Sequence, residues 1–173
     1  MKNIKENLKI DGYMTEEELL CLYDLAKDRK NILEIGSFKG RSTFALCSTG
    51  SNVTAVDSWV LDFNPESEIN GEKVYQEFLK NTKEFTNLTT VRADAEVAIK
   101  EYEQETFDMI FLDFRTEYND YVKDLNMCLP RLKQGGIIVG HEYSKDWSGV
   151  TKAVDERFNK PDGVVGMIWW KII

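Results

Sequence analysis

Basic residues are the minority in this chain: 22 lysines and arginines stand against 30 aspartates and glutamates, a formal net charge of −8. A nucleic-acid surface needs a basic stripe, so that class of partner is not expected. No block of like charge suggests an interaction tail. No window approaches the length of a membrane span, and Met1 to Ile10 lacks the apolar core of a signal peptide, so no membrane contact is expected either. Cysteine is scarce: Cys21, Cys47 and Cys128 are odd in number, far apart and set in apolar segments. That is no disulfide framework and fits packed thiols in a reducing compartment. There is no repeat, low-complexity tract or linker, so residues 1–173 read as one domain of a cytoplasmic protein. Histidine occurs once, at His141, so imidazole chemistry has a single candidate.

What the chain does have is concentrated in Asn31-Ile-Leu-Glu-Ile-Gly-Ser-Phe-Lys-Gly-Arg-Ser-Thr43. An apolar run ends at Gly36, a second glycine follows at Gly40, and Arg41, Ser42 and Thr43 lead into Phe44-Ala-Leu46. This reads as a strand, a tight turn and the start of a helix, an arrangement that brings backbone N–H groups close to a ligand. The next apolar run, Asn52-Val-Thr-Ala-Val-Asp57, closes on an acid 21 residues after Gly36. An acid at the tip of a second parallel strand can accept both hydroxyls of a ribose. The two stretches together mark a nucleoside-cofactor pocket.

The remainder alternates. Thr15-Glu-Glu-Glu18 reads as a capping box opening a helix through Lys27, and a helix runs from Arg41 to about Ser48. A strand is expected over Val53 to Ser58 and a polar loop over the pocket mouth from Trp59 to Gly71. Further helices are expected over Glu72 to Phe85, Ala95 to Tyr102, Tyr118 to Leu132 and Val150 to Phe158, with strands over Leu88 to Ala93, Phe107 to Phe114 and Gly135 to Tyr143. Such alternation implies an α/β, Rossmann-like, doubly wound and mostly parallel sheet with helices on both faces. Gly163 to Ile173 leaves room for a short C-terminal strand region only, one long or two very short strands. Trp169 and Trp170 would point to opposite faces, one of them under a helix; exposure of either would mark a homodimer edge. Glu34, Asp57, Asp94, Asp113 and Glu142 all fall at or near the carboxyl ends of expected strands, where such sheets bind ligands.

The turn is G-x-x-x-G rather than G-x-G-x-x-G, and Glu34 stands two residues before its first glycine. A carboxylate there is unfavourable to a pyrophosphate, which counts against a nucleotide-dependent oxidoreductase. Glu-Ile-Gly-Ser-Phe-Lys-Gly-Arg-Ser-Thr resembles the first motif of class I S-adenosylmethionine-dependent methyltransferases, in the small-molecule branch of cephalosporin-hydroxylase-like and macrocin O-methyltransferase-like proteins. The resemblance extends from about Gly12 to Lys171. It implies that Glu34 sits near the methionine end of S-adenosylmethionine, with Gly36, Ser37, Phe38, Lys39, Gly40, Arg41 and Ser42 lining that end. It further implies that Asp57 takes the ribose, with Ser58 and Trp59 beside the adenosine and Asp94 and Ala95 at the adenine edge.

For the acceptor half, Phe107-Asp-Met-Ile-Phe-Leu-Asp113 resembles the fourth strand of the family, whose terminal acid lies near the methyl group or binds a metal. Phe114 stands where relatives commonly carry glycine, and Thr116 where a histidine is often found. Gly135-Gly-Ile-Ile-Val-Gly-His-Glu-Tyr143 resembles the fifth strand. The resemblance implies Asp113 and His141 as catalytic residues, Asp113 also as a contact of the cofactor, and Asp113, His141 and Glu142 as ligands of a magnesium or manganese ion that orients and acidifies a hydroxyl. Arg115 is a candidate for holding an anionic acceptor. The expected function is an S-adenosylmethionine-dependent methyltransferase acting on a small molecule at oxygen. The alternative is a binding module that keeps the cofactor pocket without turnover, motivated by the segment after Asp113 and the short C-terminus.

Overall fold

The computed structural model describes residues 4–60 and 70–173. Most of the expected loop over the pocket mouth lies outside the described residues. The elements run α1 (Ile4–Asn7), α2 (Glu16–Ala26), β1 (Asn31–Ile35), α3 (Arg41–Cys47), β2 (Asn52–Asp57), α4 (Gly71–Thr82), β3 (Leu88–Arg92), α5 (Ala95–Lys100), β4 (Phe107–Leu112), α6 (Tyr118–Cys128), β5 (Leu132–Gly140), α7 (Ser148–Phe158), β6 (Gly163–Val165) and β7 (Ile168–Ile172). The seven strands form one sheet in the order β3-β2-β1-β4-β5-β7-β6. The first five in that order are parallel, and β7 joins β5 antiparallel. The fold is therefore the α/β, Rossmann-like sheet expected. The chain's direction of travel across the sheet reverses between β1 and β4, which puts the ligand crevice at their carboxyl ends.

Both faces of the central strands are covered, so β1 and β4 are almost wholly apolar. Leu33, Ile35, Ile110, Leu112 and Ile138 pack with α5, α6 and α7 on one face. Ile32, Met109, Phe111, Ile137 and Val139 pack with α2 and α3 on the other. Strand alternation places Glu34 on that second face, directly under α3.

Local chemistry sets the element ends. The capping box at α2 is present, with Thr15 and Glu18 exchanging their hydrogen bonds. The α6 helix stops at Cys128, short of the expected Leu132, because Pro130 lies in a 3-10 turn over Leu129–Arg131. The β5 strand begins three residues earlier than expected, at Leu132, and shifts register against β4 between Phe107 and Met109. The C-terminus is two very short strands: β6 and β7 form an antiparallel hairpin. Trp169 is fully buried on the α6–α7 face and Trp170 half-buried on the other, so neither is exposed. The indole N–H of Trp169 donates to the Tyr121 hydroxyl at 3.1 Å. Among the described residues, no helix is long and apolar enough to cross a membrane.

Candidate active site

A cavity of about 450 Å³ opens at the carboxyl ends of β1, β2 and β4. That volume falls in the range of about 300–1,000 Å³ common to small-ligand sites. Its floor is the glycine turn. Gly36 (φ +88°) and Gly40 (φ +89°) both take the left-handed conformation that side chains disfavour. Phe38 adopts φ +47° between them, at the cost of strain.

Two of the turn's amides, those of Ser37 and Phe38, are not open to a ligand; they are taken by Asp57. Its Oδ2 accepts the N–H groups of Ser37 and Phe38, both at 2.9 Å, and its Oδ1 accepts that of Trp59 at 2.7 Å. Three of the four lone-pair positions of the carboxylate are filled, and one remains for a bound hydroxyl. This locks the tip of β2 to the tip of β1.

Glu34 also acts from beneath. It is fully buried and accepts hydrogen bonds from the hydroxyls of Ser37 (2.8 Å), Ser42 (2.6 Å) and Thr43 (2.5 Å). Burial pushes its carboxyl up to about 7, against the opposing effect of those three hydroxyls. Glu34 therefore clamps the turn onto α3 and does not reach the cavity.

Of the other residues read from the sequence as cofactor contacts, Gly36, Ser37, Phe38, Arg41, Ser42, Asp57, Ser58, Asp94, Ala95 and Asp113 line the cavity. Three do not. Trp59 is turned into the core with φ +49°: its indole N–H donates to the Phe38 carbonyl at 2.7 Å, and its ring packs against Tyr75 and Phe78. A large apolar ring gains more under α4 than at the cavity mouth. Lys39 points outward to Asp11 (2.9 Å) and Glu77 (3.1 Å). Gly40 packs against Thr82 and Phe78, so its role is the turn itself. Asp94 lines the wall while its side chain caps α5, accepting from Glu96 N at 2.8 Å.

Beyond β4 and β5 stand Asp113, His141 and Glu142, each offering a ligand atom within 4.8 Å of the others. Asp113 and Glu142 line the cavity; His141 lies behind them, only 2% exposed. Its Nδ1 is 3.5 Å from Asp113 Oδ1, and its Nε2 is 3.4 Å from Glu18 Oε1. Burial alone would lower the imidazole pKa, but the carboxylates of Asp113, Glu18 and Glu142 outweigh it and hold it above the usual histidine value. Glu142 is pushed up to about 7, first by burial and then by Asp113, and its backbone sits at φ +67°. Strain of that kind persists where surrounding structure dictates it.

Two arginines line the cavity, and neither is free. The Arg41 guanidinium donates to the carbonyls of Gly12 and Met14 (both 2.7 Å) and Leu8 (3.0 Å), which pins the segment before α2 as a further wall. Arg115 faces Asp124 (3.2 Å), Glu96 (3.3 Å) and Asp94 (3.8 Å). Among the described residues, the lining thus carries four carboxylates and no cation without a partner. The sequence reading missed this pinned segment, which brings Tyr13 to the rim, and missed Glu18 beside His141. Neither has a local signal, because the contacts span long separations in the chain.

The methyltransferase domain family model matches residues 33–143 of this chain. The O-methyltransferase from Bacillus cereus in complex with SAH superposes with a TM-score of 0.72 at 18% identity, over 100% of this chain and 91% of that one. The tRNA (m1A58) methyltransferase TrmI of Aquifex aeolicus gives 0.65 at 17% identity, over 89% and 60%. At these identities the likeness is one of fold. An uncharacterized protein of Sinorhizobium fredii, y4gI, is 24% identical over 120 residues, which are 65% of this chain and 13% of that protein. The match thus spans a small part of that relative's length.

Proposed function

The chain belongs to the methyltransferase domain family, and from that premise we propose that it binds S-adenosylmethionine and methylates a small molecule at oxygen with the help of a divalent cation. The observation that carries the reading is the convergence of Asp113, His141 and Glu142 beside a cavity whose opposite wall is the Gly36 turn and Asp57. Two carboxylates and one imidazole, with ligand atoms inside 4.8 Å, suit magnesium or manganese. When bound, S-adenosylmethionine supplies the methyl group on its sulfonium, and the cation would lower the pKa of an acceptor hydroxyl.

The rest is the work of the chain's own groups. Asp57 uses its remaining lone pair on the ribose, held still by the three amides it already accepts. Asp94 and Ala95 meet the adenine edge, and Gly36, Ser37 and Ser42 the methionine end. In-line transfer depends chiefly on proximity, which this rigid floor provides. His141 uses one nitrogen in either of its roles: Nδ1 faces Asp113, whether it holds a cation or takes the hydroxyl's proton.

The charge of the walls bears on the acceptor. Arg115 already faces Asp124, Glu96 and Asp94, so it is not free to anchor an anionic acceptor. With four carboxylates, the lining favours a cation beside the reacting atom.

Calorimetric titration of S-adenosylmethionine and S-adenosylhomocysteine, with and without magnesium, tests the reading. Micromolar binding of both is expected. No binding of either overturns it.

A further inference from the structure

Glu18 is bound more elaborately than a helix cap requires. A capping box needs one carboxylate oxygen, and Glu18 Oε2 meets that need by accepting Thr15 N at 2.8 Å, with the Thr15 hydroxyl at 2.9 Å. The second oxygen, Oε1, turns away from the helix. It accepts Met167 N at 2.7 Å from the β6–β7 turn and faces His141 Nε2 at 3.4 Å. The turn makes room for it: a Cβ on Gly166 would lie 2.5 Å from that oxygen. Glu18 itself is 2% exposed. Burial pushes its pKa up, but the N–H groups of Thr15 and Met167 and the Thr15 hydroxyl outweigh it and keep the carboxyl below its usual value.

On the other side, His141 Nε2 is buried and has no hydrogen-bond partner of its own. A buried N–H without an acceptor is costly, and Glu18 Oε1 lies within a few tenths of an ångström of a bonding distance. We propose that Glu18 is a positioning residue for His141: it takes the Nε2 proton and leaves Nδ1 as the lone-pair nitrogen beside Asp113 and Glu142. A carboxylate behind an imidazole fixes both the ring's orientation and its tautomer, and makes the other nitrogen a better donor to a cation or proton. The inference rests on the proposed role of the Asp113–His141–Glu142 group, but its first test does not need that role to hold.

His141 is the only histidine in the chain, so a nitrogen-15 spectrum of the imidazole reports on it without assignment. At alkaline pH, with the ring neutral, the wild-type protein should show the Nε2–H tautomer alone. The Nδ1–H tautomer in its place would overturn the proposal. Glu18→Ala should lose the single tautomer, while Thr15→Ala, which removes the cap but keeps the carboxylate, should retain it. Equal spectra for the two variants would assign Glu18 to helix capping only. Manganese binding followed by electron paramagnetic resonance should weaken about 10–100-fold in Glu18→Ala and little in Thr15→Ala. Absence of manganese binding by the wild-type protein would overturn the cation reading, while the ring spectrum would still decide the role of Glu18.

Discussion

Gly36 and Asp113 close on each other across the β1–β4 junction. A Cβ on Gly36 would lie 2.1 Å from the Asp113 carbonyl oxygen, and Asp113 N donates to the Ile35 carbonyl at 2.9 Å. The cofactor half and the acceptor half of the cavity are thus in main-chain contact. Alanine at position 36 would meet both the left-handed backbone, worth about 1–2 kcal/mol, and overpacking, worth about 1–3 kcal/mol. Gly36→Ala should lower the melting temperature by roughly 4–20 °C. A melting curve within about a degree of wild type would refute the contact.

Asp57 both binds and builds. Asp57→Ala removes the ribose acceptor and leaves the amides of Ser37, Phe38 and Trp59 without their partner. Cofactor affinity should fall by ~1.5–3 kcal/mol, about 10–100-fold, together with a loss of thermal stability. Unchanged affinity for S-adenosylhomocysteine would remove Asp57 from the ribose site.

Glu34 gives a pH dependence of stability. Its carboxyl is raised from 4.5 to about 7 in the folded protein, chiefly by burial. The folded state therefore holds this proton more tightly than the unfolded state does. The stabilisation is complete below about pH 4.5 and is lost as pH rises through about 7. Urea unfolding of the wild type relative to Glu34→Gln should show that difference shrinking by up to roughly 3 kcal/mol over this range. A difference that stays flat would place the charge of Glu34 elsewhere.

Glu142 separates the cation from the cofactor. Glu142→Ala should leave S-adenosylmethionine affinity within about twofold, because the proposed contacts lie in the turn after β1, on α3, at the tip of β2 and at the start of α5, and should abolish the magnesium-dependent rate. EDTA should do the same to the wild-type protein, with recovery on adding magnesium or manganese. Turnover that survives both treatments would sink the cation reading.

Much of this was legible in the sequence because the signals are local. Gly36, Gly40 and Asp57 announce a strand, a turn and an acid within one stretch, and the alternation of apolar runs fixes the parallel sheet. The position of Pro130 also bears on where α6 ends. What escaped is long-range. Trp59 looks like a pocket aromatic until α4 supplies Phe78 and Tyr75 for it to pack against. Glu34 looks like a ligand contact until Ser37, Ser42 and Thr43 fold over it. Periodicity carries no information about which hydroxyl or ring from another element will arrive.

The hydrogen bond from Met167 to Glu18 has a consequence in time. On a ribosome the chain emerges N-terminus first, and domains tend to fold as their segments appear. The glycine turn, Asp57 and β4 have all emerged once residues up to about 113 are out, whereas His141 and the β6–β7 turn follow later. The carboxylate behind His141 gains its Met167 contact only when the final hairpin has been made. A chain nicked ahead of Met167 would lose that amide from Glu18 Oε1 and leave the oxygen facing His141 Nε2 alone.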